Sequence, residues 1–512
     1  MKLTFKPLAG LVLAATLAGA PLGAAAFAQE AAPAPAAAAP AEAAPAPAVA
    51  APAEAAPAPA AAPTIEDKMD KGDNAWMLTS ALLVLLMILP GLALFYGGLV
   101  RSKNMLSVMM QVSTVALIGF VAWFLWGYSF AFTDGGSWDK FVGGLGRVFL
   151  KDVTPASNVA TFSTGVVIPE LTFIAFQATF AAITAALVVG SLVERMKFAA
   201  IVAFAVLWPL LSYYPIAHMV WWWPGPNAIA LAPEDPVKSG LLWGFGALDF
   251  AGGTVVHINA GIAALVGALI LGKRQGYGKE PMPPHSLTLT LVGAGLLWVG
   301  WFGFNAGSNL ESNGYASLAM VNTFIATAGA GLSWILVEWV TRKKPSALGL
   351  ASGIVAGLVA VTPAAGFAGP MGALILGLVV SPICIIFCSI VKNALKYDDS
   401  LDAFGIHGVG GIVGALGTGL VVNPLWGGAG IVDYTTCGKD GDLSTCDALA
   451  SYEPIAQLLI QAKAVGVTVL WSAVASAIVF FIIKLVIGLR AAPEAEEDGL
   501  DISEHGERAY HS

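Results

Sequence analysis

Two histidines in apolar surroundings are the residues best suited to chemistry in this 512-residue chain. His257 lies within 241–271, a small-residue apolar stretch without Lys, Arg or Glu. Asp249 stands eight residues before it, roughly 12 Å along a helix. A second apolar stretch, Leu401 to Val422, holds Asp402 and His407. A neutral imidazole donates from one ring nitrogen and accepts at the other. Two facing rings would therefore form a hydrogen-bonding, proton-relaying line inside a membrane. The plain alternative for each His is hydrogen-bonded packing. Neither His has a thiolate or carboxylate ligand beside it, so no metal site and no cofactor is expected. Asp249 and Asp402 precede helix starts and are read first as N-caps, which unpaired N–H groups and the helix dipole favour. Phe176 and Phe180 are four apart and share a helix face. Trp221, Trp222 and Trp223 end an apolar segment as an interfacial belt, and one of them could offer a cation–π face. Trp301, Phe302 and Phe304, followed by Asn305 and Ser308, read as packing aromatics.

These side chains need a scaffold, and the composition names its class. The chain is 57% hydrophobic and 11% charged, against about 25% charged in a soluble domain. This describes an all-α polytopic membrane protein. The 58 glycines suit closely packed helices, and nothing is basic enough for nucleic acid. Eleven apolar segments follow, near 76–100, 105–132, 162–192, 198–223, 251–272, 286–306, 315–340, 346–364, 370–392, 403–422 and 454–489. Each can span about 30 Å of hydrocarbon. Residues 1–28 read as a signal peptide, with Lys2 and Lys6, an apolar run and Ala26-Phe27-Ala28. The segment 29–73, mostly Ala, Pro and Glu, reads as a disordered periplasmic arm. Thirteen Lys and Arg, Arg195 and Arg274 among them, then fall in the loops and tail on the inner side. Five fall outside: Lys140, Arg147, Lys151, Lys238 and Lys439. The positive-inside rule thus agrees with the signal peptide: the N-terminus is periplasmic and the C-terminus cytoplasmic in a bacterial inner membrane. With His257 on the fifth crossing and His407 on the tenth, helices 1–5 and 6–10 fit an inverted repeat, plus a long eleventh helix. Cys437 and Cys446 fall in an outside loop, where a disulfide or two thiols are both open. Cys384 and Cys388 read as buried small hydrophobes.

Several stretches resemble the ammonium transporter (Amt/MEP/Rh) family. They are 90–98 (PGLALFYGG), 176–181 (FQATFA), 194–198 (ERMKF), 215–221 (PIAHMVW), 249–261 (DFAGGTVVHINAG), 300–308 (GWFGFNAGS) and 402–411 (DAFGIHGVGG). The resemblance covers 74–490 as the transporter domain and continues into a cytoplasmic tail, 491–512. It implies an outer ammonium site from Trp221, Phe176, Phe180 and Ser308, and a gate from Phe180 and Phe304. It further implies a twin-His pore from His257 and His407, with Asp249 as an essential acid. A homotrimer is implied as well, with a PII-type signalling protein at the tail segment 499–510. The expected activity is ammonium and methylammonium transport, with ammonium deprotonated outside and ammonia conducted. An ammonium sensor built on the same pore, or a proton-coupled transporter of another small solute, are the alternatives. The loops 222–247 and 423–453 and the arm depart from the family pattern.

Overall fold

A computed structural model of the chain describes residues 64–233, 235–438 and 449–510. The expected signal peptide and the arm before residue 64 lie outside them. Among the described residues, eleven helices are long and apolar enough to cross a membrane. They are α1 (Lys71–Leu99), α2 (Ser102–Phe132), α3 (Glu170–Val189), α4 (Phe198–Trp221), α5 (Gly253–Leu271), α6 (Leu287–Gly307), α7 (Gly314–Arg342), α8 (Ala347–Ala364), α9 (Pro370–Leu395), α10 (Phe404–Val421) and α11 (Pro454–Val486). Their outward faces are apolar, as at Leu470 and Leu485 on α11. Such faces are stable against lipid.

Two boundaries differ from expectation. α3 begins at Glu170 rather than near 162, because Val166–Pro169 is extended. This strand, β3, is central in a small sheet. It pairs parallel with β1 (Lys68–Met69) and antiparallel with β2 (Asn158–Ala160). A short apolar run does not distinguish strand from helix by periodicity. At the other boundary, the helical part starts at Lys71, before residue 74. Asp70 caps it by accepting from the N–H groups of Gly72 (2.6 Å) and Asp73 (3.1 Å).

The helices pack in a pattern that repeats after five. α2 lies on α3 and α4, as α7 lies on α8 and α9; α1 meets α6, and α5 meets α10. Five crossings invert the direction, so the halves are oppositely oriented. α11, 33 residues long, crosses α4, α5 and α10. Where α5 meets α10 the backbones nearly touch: a Cβ added at Gly261 would lie 2.2 Å from the Gly408 nitrogen. Only glycine permits that approach.

The bundle has a Trp221 end and an Arg195 end, at opposite termini of α4. At the Arg195 end, Glu194 binds Arg101 (3.0 Å) and Arg274 (2.8 Å), and Asp398 binds Arg274 (2.9 Å). Arg195 donates to the carbonyls of Gly272 (2.8 Å) and Asp398 (2.7 Å). Burial alone would raise both acids; Arg274 with Arg101 holds Glu194, and Arg274 with Arg195 holds Asp398, below the usual carboxylate range. The tail docks beside this network. Beyond α12 (Pro493–Asp498), Leu500 is buried, and the Asp501 carboxylate accepts from the Leu106 (3.2 Å) and Ser107 (2.7 Å) N–H groups at the start of α2.

Candidate functional site

The site is built from two caps. Asp249 Oδ1 accepts from the N–H groups of Gly252 (2.8 Å) and Gly253 (2.6 Å). Its Oδ2 accepts from the N–H groups of Thr254 (2.8 Å) and Val255 (3.3 Å), and from the Thr254 hydroxyl. Gly252, at φ +116°, makes the turn that aims these donors inward. Asp249 is therefore the α5 cap its position suggests, and its carboxylate is saturated by donors.

On α10 the cap is not the expected one. Asp402 sits at φ +57° and bonds Lys392 (2.7 Å). The cap is Asp399, which accepts from the N–H groups of Ala403 (3.0 Å), Phe404 (2.9 Å) and Gly405 (3.2 Å), and from the Ser191 hydroxyl. The reason is geometric. A carboxylate reaching several first-turn donors must precede a reversal of the chain, and Asp402 is that reversal, as Gly252 is in α5. The missed signal was spacing: Asp399 stands eight residues before His407, as Asp249 does before His257.

Each capped helix opens with a wide π-helical turn, Gly253–Ile258 in α5 and Phe404–Gly408 in α10. Each turn carries its histidine inward. The two rings meet Nδ1 to Nδ1 at 3.3 Å, centroids 5.3 Å apart and 23° from parallel. One Nδ1 must donate and the other accept. His257 Nε2 meets no protein partner and is buried. The pair lines an enclosed cavity with Leu92, Phe95, Leu297, Trp301, Phe304 and Val355 among the walls. Its volume is ≈ 10 Å³, near the least that holds one water-sized molecule.

Aromatic rings continue the line toward the Trp221 end. Phe304 lies 6.0 Å from His257 and stacks on Phe180 at 4.2 Å and 27°. Phe180 touches Phe176 at 4.9 Å and meets Trp221 edge-on at 6.0 Å. The Trp221 indole N–H donates to the Asp249 carbonyl (3.0 Å), tying this ring to the α5 cap. Ser308 ends α6 one turn beyond Phe304 and donates to its carbonyl (2.8 Å). In sequence Trp301 reads as a packing aromatic; in the structure its ring lies 5.4 Å from His257 and 21° from parallel. Its indole N–H donates to Thr362 Oγ1 (2.9 Å), which fixes the ring. Its place one turn before Phe304 was the available signal.

Among the described residues no cluster of His, Cys, Asp and Glu could hold a metal ion. The proposed Cys437–Cys446 pairing rests on residues 439–448, which lie outside the described ones; Cys437 itself is buried against Ile229 and Ala230.

The model of the Ammonium Transporter Family matches residues 75–510. An ammonium transporter of Aquifex aeolicus is 45% identical over 446 residues, covering 87% of this chain and 95% of that protein. One from Bacillus subtilis is 42% identical over 445 residues, covering 86% and 99%. Among solved structures, one titled Sensor Amt Protein superposes with a TM-score of 0.71 at 29% identity, covering 85% of this chain and 98% of that one.

Proposed function

The chain belongs to the ammonium transporter family, and on that premise we propose how it moves its substrate: ammonium is recruited at Trp221, loses a proton there, and crosses as ammonia through the twin-His conduit. It is a membrane transporter and not an enzyme. The observation that carries the reading is the unbroken line from Trp221 through Phe180 and Phe304 to His257 and His407.

Trp221 offers an indole face to a cation, worth ~0.5–2 kcal/mol, with Phe176, Phe180 and Ser308 completing the outer site. Asp249 acts through its field and by holding the α5 turn, because its oxygens are already occupied. Below this site the lining is apolar. A charge at the bilayer centre costs at least about 2.5–3.5 kcal/mol. Parting an aromatic pair such as Phe180 and Phe304 costs only about 0.5–1.5 kcal/mol. Charge, not the gate, therefore sets selectivity. Ammonium can shed a proton; potassium, of similar size, cannot. Ammonia then bonds to the imidazole pair, which also offers the proton a separate route.

The charge asymmetry of the loops supports a periplasmic N-terminus and a cytoplasmic C-terminus in a bacterial inner membrane. The family resemblance supports a homotrimer and a PII-type partner at the docked tail. A sensor role on the same pore is the second reading, favoured by the superposition on a sensor protein. Methylammonium uptake into proteoliposomes tests the proposal. Wild type should accumulate it, Trp221→Leu should raise KM, and His257→Ala or His407→Ala should lower the rate. No uptake by wild type would favour the sensor.

A further inference from the structure

His218 lies on the last turn of α4, three residues before Trp221, and is fully buried. Its Nδ1 is 3.0 Å from the Ala131 carbonyl oxygen and its Nε2 is 2.7 Å from the Asp139 carbonyl oxygen. Both partners can only accept. A neutral imidazole has one N–H, so it satisfies one carbonyl and sets a lone pair against the other. Among the described histidines this is the only ring held between two such acceptors. His285, by contrast, faces one carbonyl and the Tyr510 hydroxyl, which can donate.

Two further features suit a second proton here. The ring stacks on Trp222 at 5.1 Å and 13°, and an imidazolium gains from an indole face. It also sits at a helix C-terminus, where the dipole favours a cation. The charged groups around it are Asp139 and Asp134 from the loop after α2, with Lys238 paired to Asp134 at 3.5 Å. Burial opposes the charge.

The held segments surround the outer site. Asp139 is followed by Lys140, whose carbonyl accepts from the Leu241 N–H (2.9 Å). The neighbouring strand of loop is fixed to the end of α4 by Gly240 N–H to the Trp222 carbonyl (2.9 Å) and Leu242 N–H to the Met219 carbonyl (2.8 Å). The ring thus ties the end of α2 and the Asp139 loop to α4, beside Trp221, while the 240–242 segment keeps its own bonds to α4.

We propose that His218 is a proton-operated clamp: on taking a second proton it bonds Ala131 and Asp139 together and so fixes Trp221 for cation docking. It is a positioning residue, and this rests on the reading of Trp221 as the recruitment site. Methylammonium uptake should then strengthen on acidification below the ordinary histidine midpoint of about 6.5, since burial works against the second proton. The expected change in KM is about fivefold, equivalent to about 1 kcal/mol, one hydrogen bond.

Two measurements on the full-length protein in proteoliposomes test it. Solid-state NMR of ¹⁵N-histidine protein, with His218 assigned through contact with Trp222, should show both ring nitrogens protonated at the acid end and one at the alkaline end. The KM for methylammonium should follow the same titration in wild type and be flat in His218→Asn. A ring that keeps an unprotonated nitrogen at the acid end overturns the proposal without recourse to any variant. So does a pH-independent wild-type KM, or a His218→Asn profile like wild type. Trp221→Leu separates the two claims: an unchanged KM there sinks the recruitment reading, whereas the NMR titration judges the clamp alone.

Discussion

A single carboxylate on each side of the molecule decides where the two imidazole rings stand. Asp249 and Asp399 each gather several first-turn N–H groups, and each holds a π-helical turn that points a histidine at the conduit. Asparagine in either place keeps one acceptor and turns an amide donor toward N–H groups. Each lost bond to a charged acceptor costs about 1.5–3 kcal/mol. Asp249→Asn and Asp399→Asn should therefore both lower the thermal midpoint and both depress methylammonium uptake. An Asp399→Asn protein with wild-type values for both would refute the paired-cap account. His257, His407 and Asp249 were legible because a polar group in a long apolar run stands out, whereas Phe304 by itself read as packing, and only the family resemblance pointed to its pairing with Phe180. Asp399 was not legible, because it lies among Asp398, Ser400 and Asp402 in a polar loop, where only its distance from His407 marks it.

Among elements, the decisive contact is that between α5 and α10. Gly261→Ala would place a methyl against the Gly408 backbone, which cannot yield as a side chain can. The expected result is separation of the two helices, loss of the histidine contact, and uptake reduced at least as far as by His257→Ala. Uptake at the wild-type rate would show that the crossing tolerates a wider spacing. The loops at the Arg195 end give a pH prediction. Glu194 and Asp398 are held below their ordinary range, so their stabilisation is complete above an unfolded value of about 4. It is lost as pH falls through the folded values. The thermal midpoint in detergent should hold from neutrality to about pH 5 and drop below about pH 4. Asp398→Asn removes the carboxylate from Arg274, which keeps Glu194, and from Arg195, which keeps its carbonyl partners, so it should start lower, by about 1.5–3 kcal/mol per charged bond lost, and lose less on acidification. An identical acid transition in both proteins would exclude this network as its source. Hydropathy sufficed to find the eleven crossings among the described residues, since each must satisfy its backbone internally in lipid. It did not locate the start of α3, where an apolar strand passes for helix, nor the π turns at Met87–Leu92 and Pro209–Tyr213, which follow from Pro90, Pro209 and their packing.

At the scale of the whole molecule, the five-helix repeat brings two residues 150 apart in sequence to one point and leaves α11 as a brace. The repeat was legible from the count of crossings and the two histidine positions, although few residues match between halves, because packing needs only the spacing of small residues. Orientation rests on the basic loops. With the four native cysteines replaced by serine, Lys238→Cys should react with an impermeant maleimide in spheroplasts, and Lys343→Cys only after permeabilisation. The reverse pattern would invert the proposed topology. On the proposed mechanism the permeant species is uncharged when it passes the imidazole pair. The most direct measurement is the ratio of ammonium to potassium permeability in proteoliposomes of wild type and His257→Asp. The account predicts no potassium flux through wild type and a collapsed ratio in the variant, whose carboxylate accepts any monovalent cation. Potassium flux through wild type, or a ratio unchanged by the substitution, would contradict it.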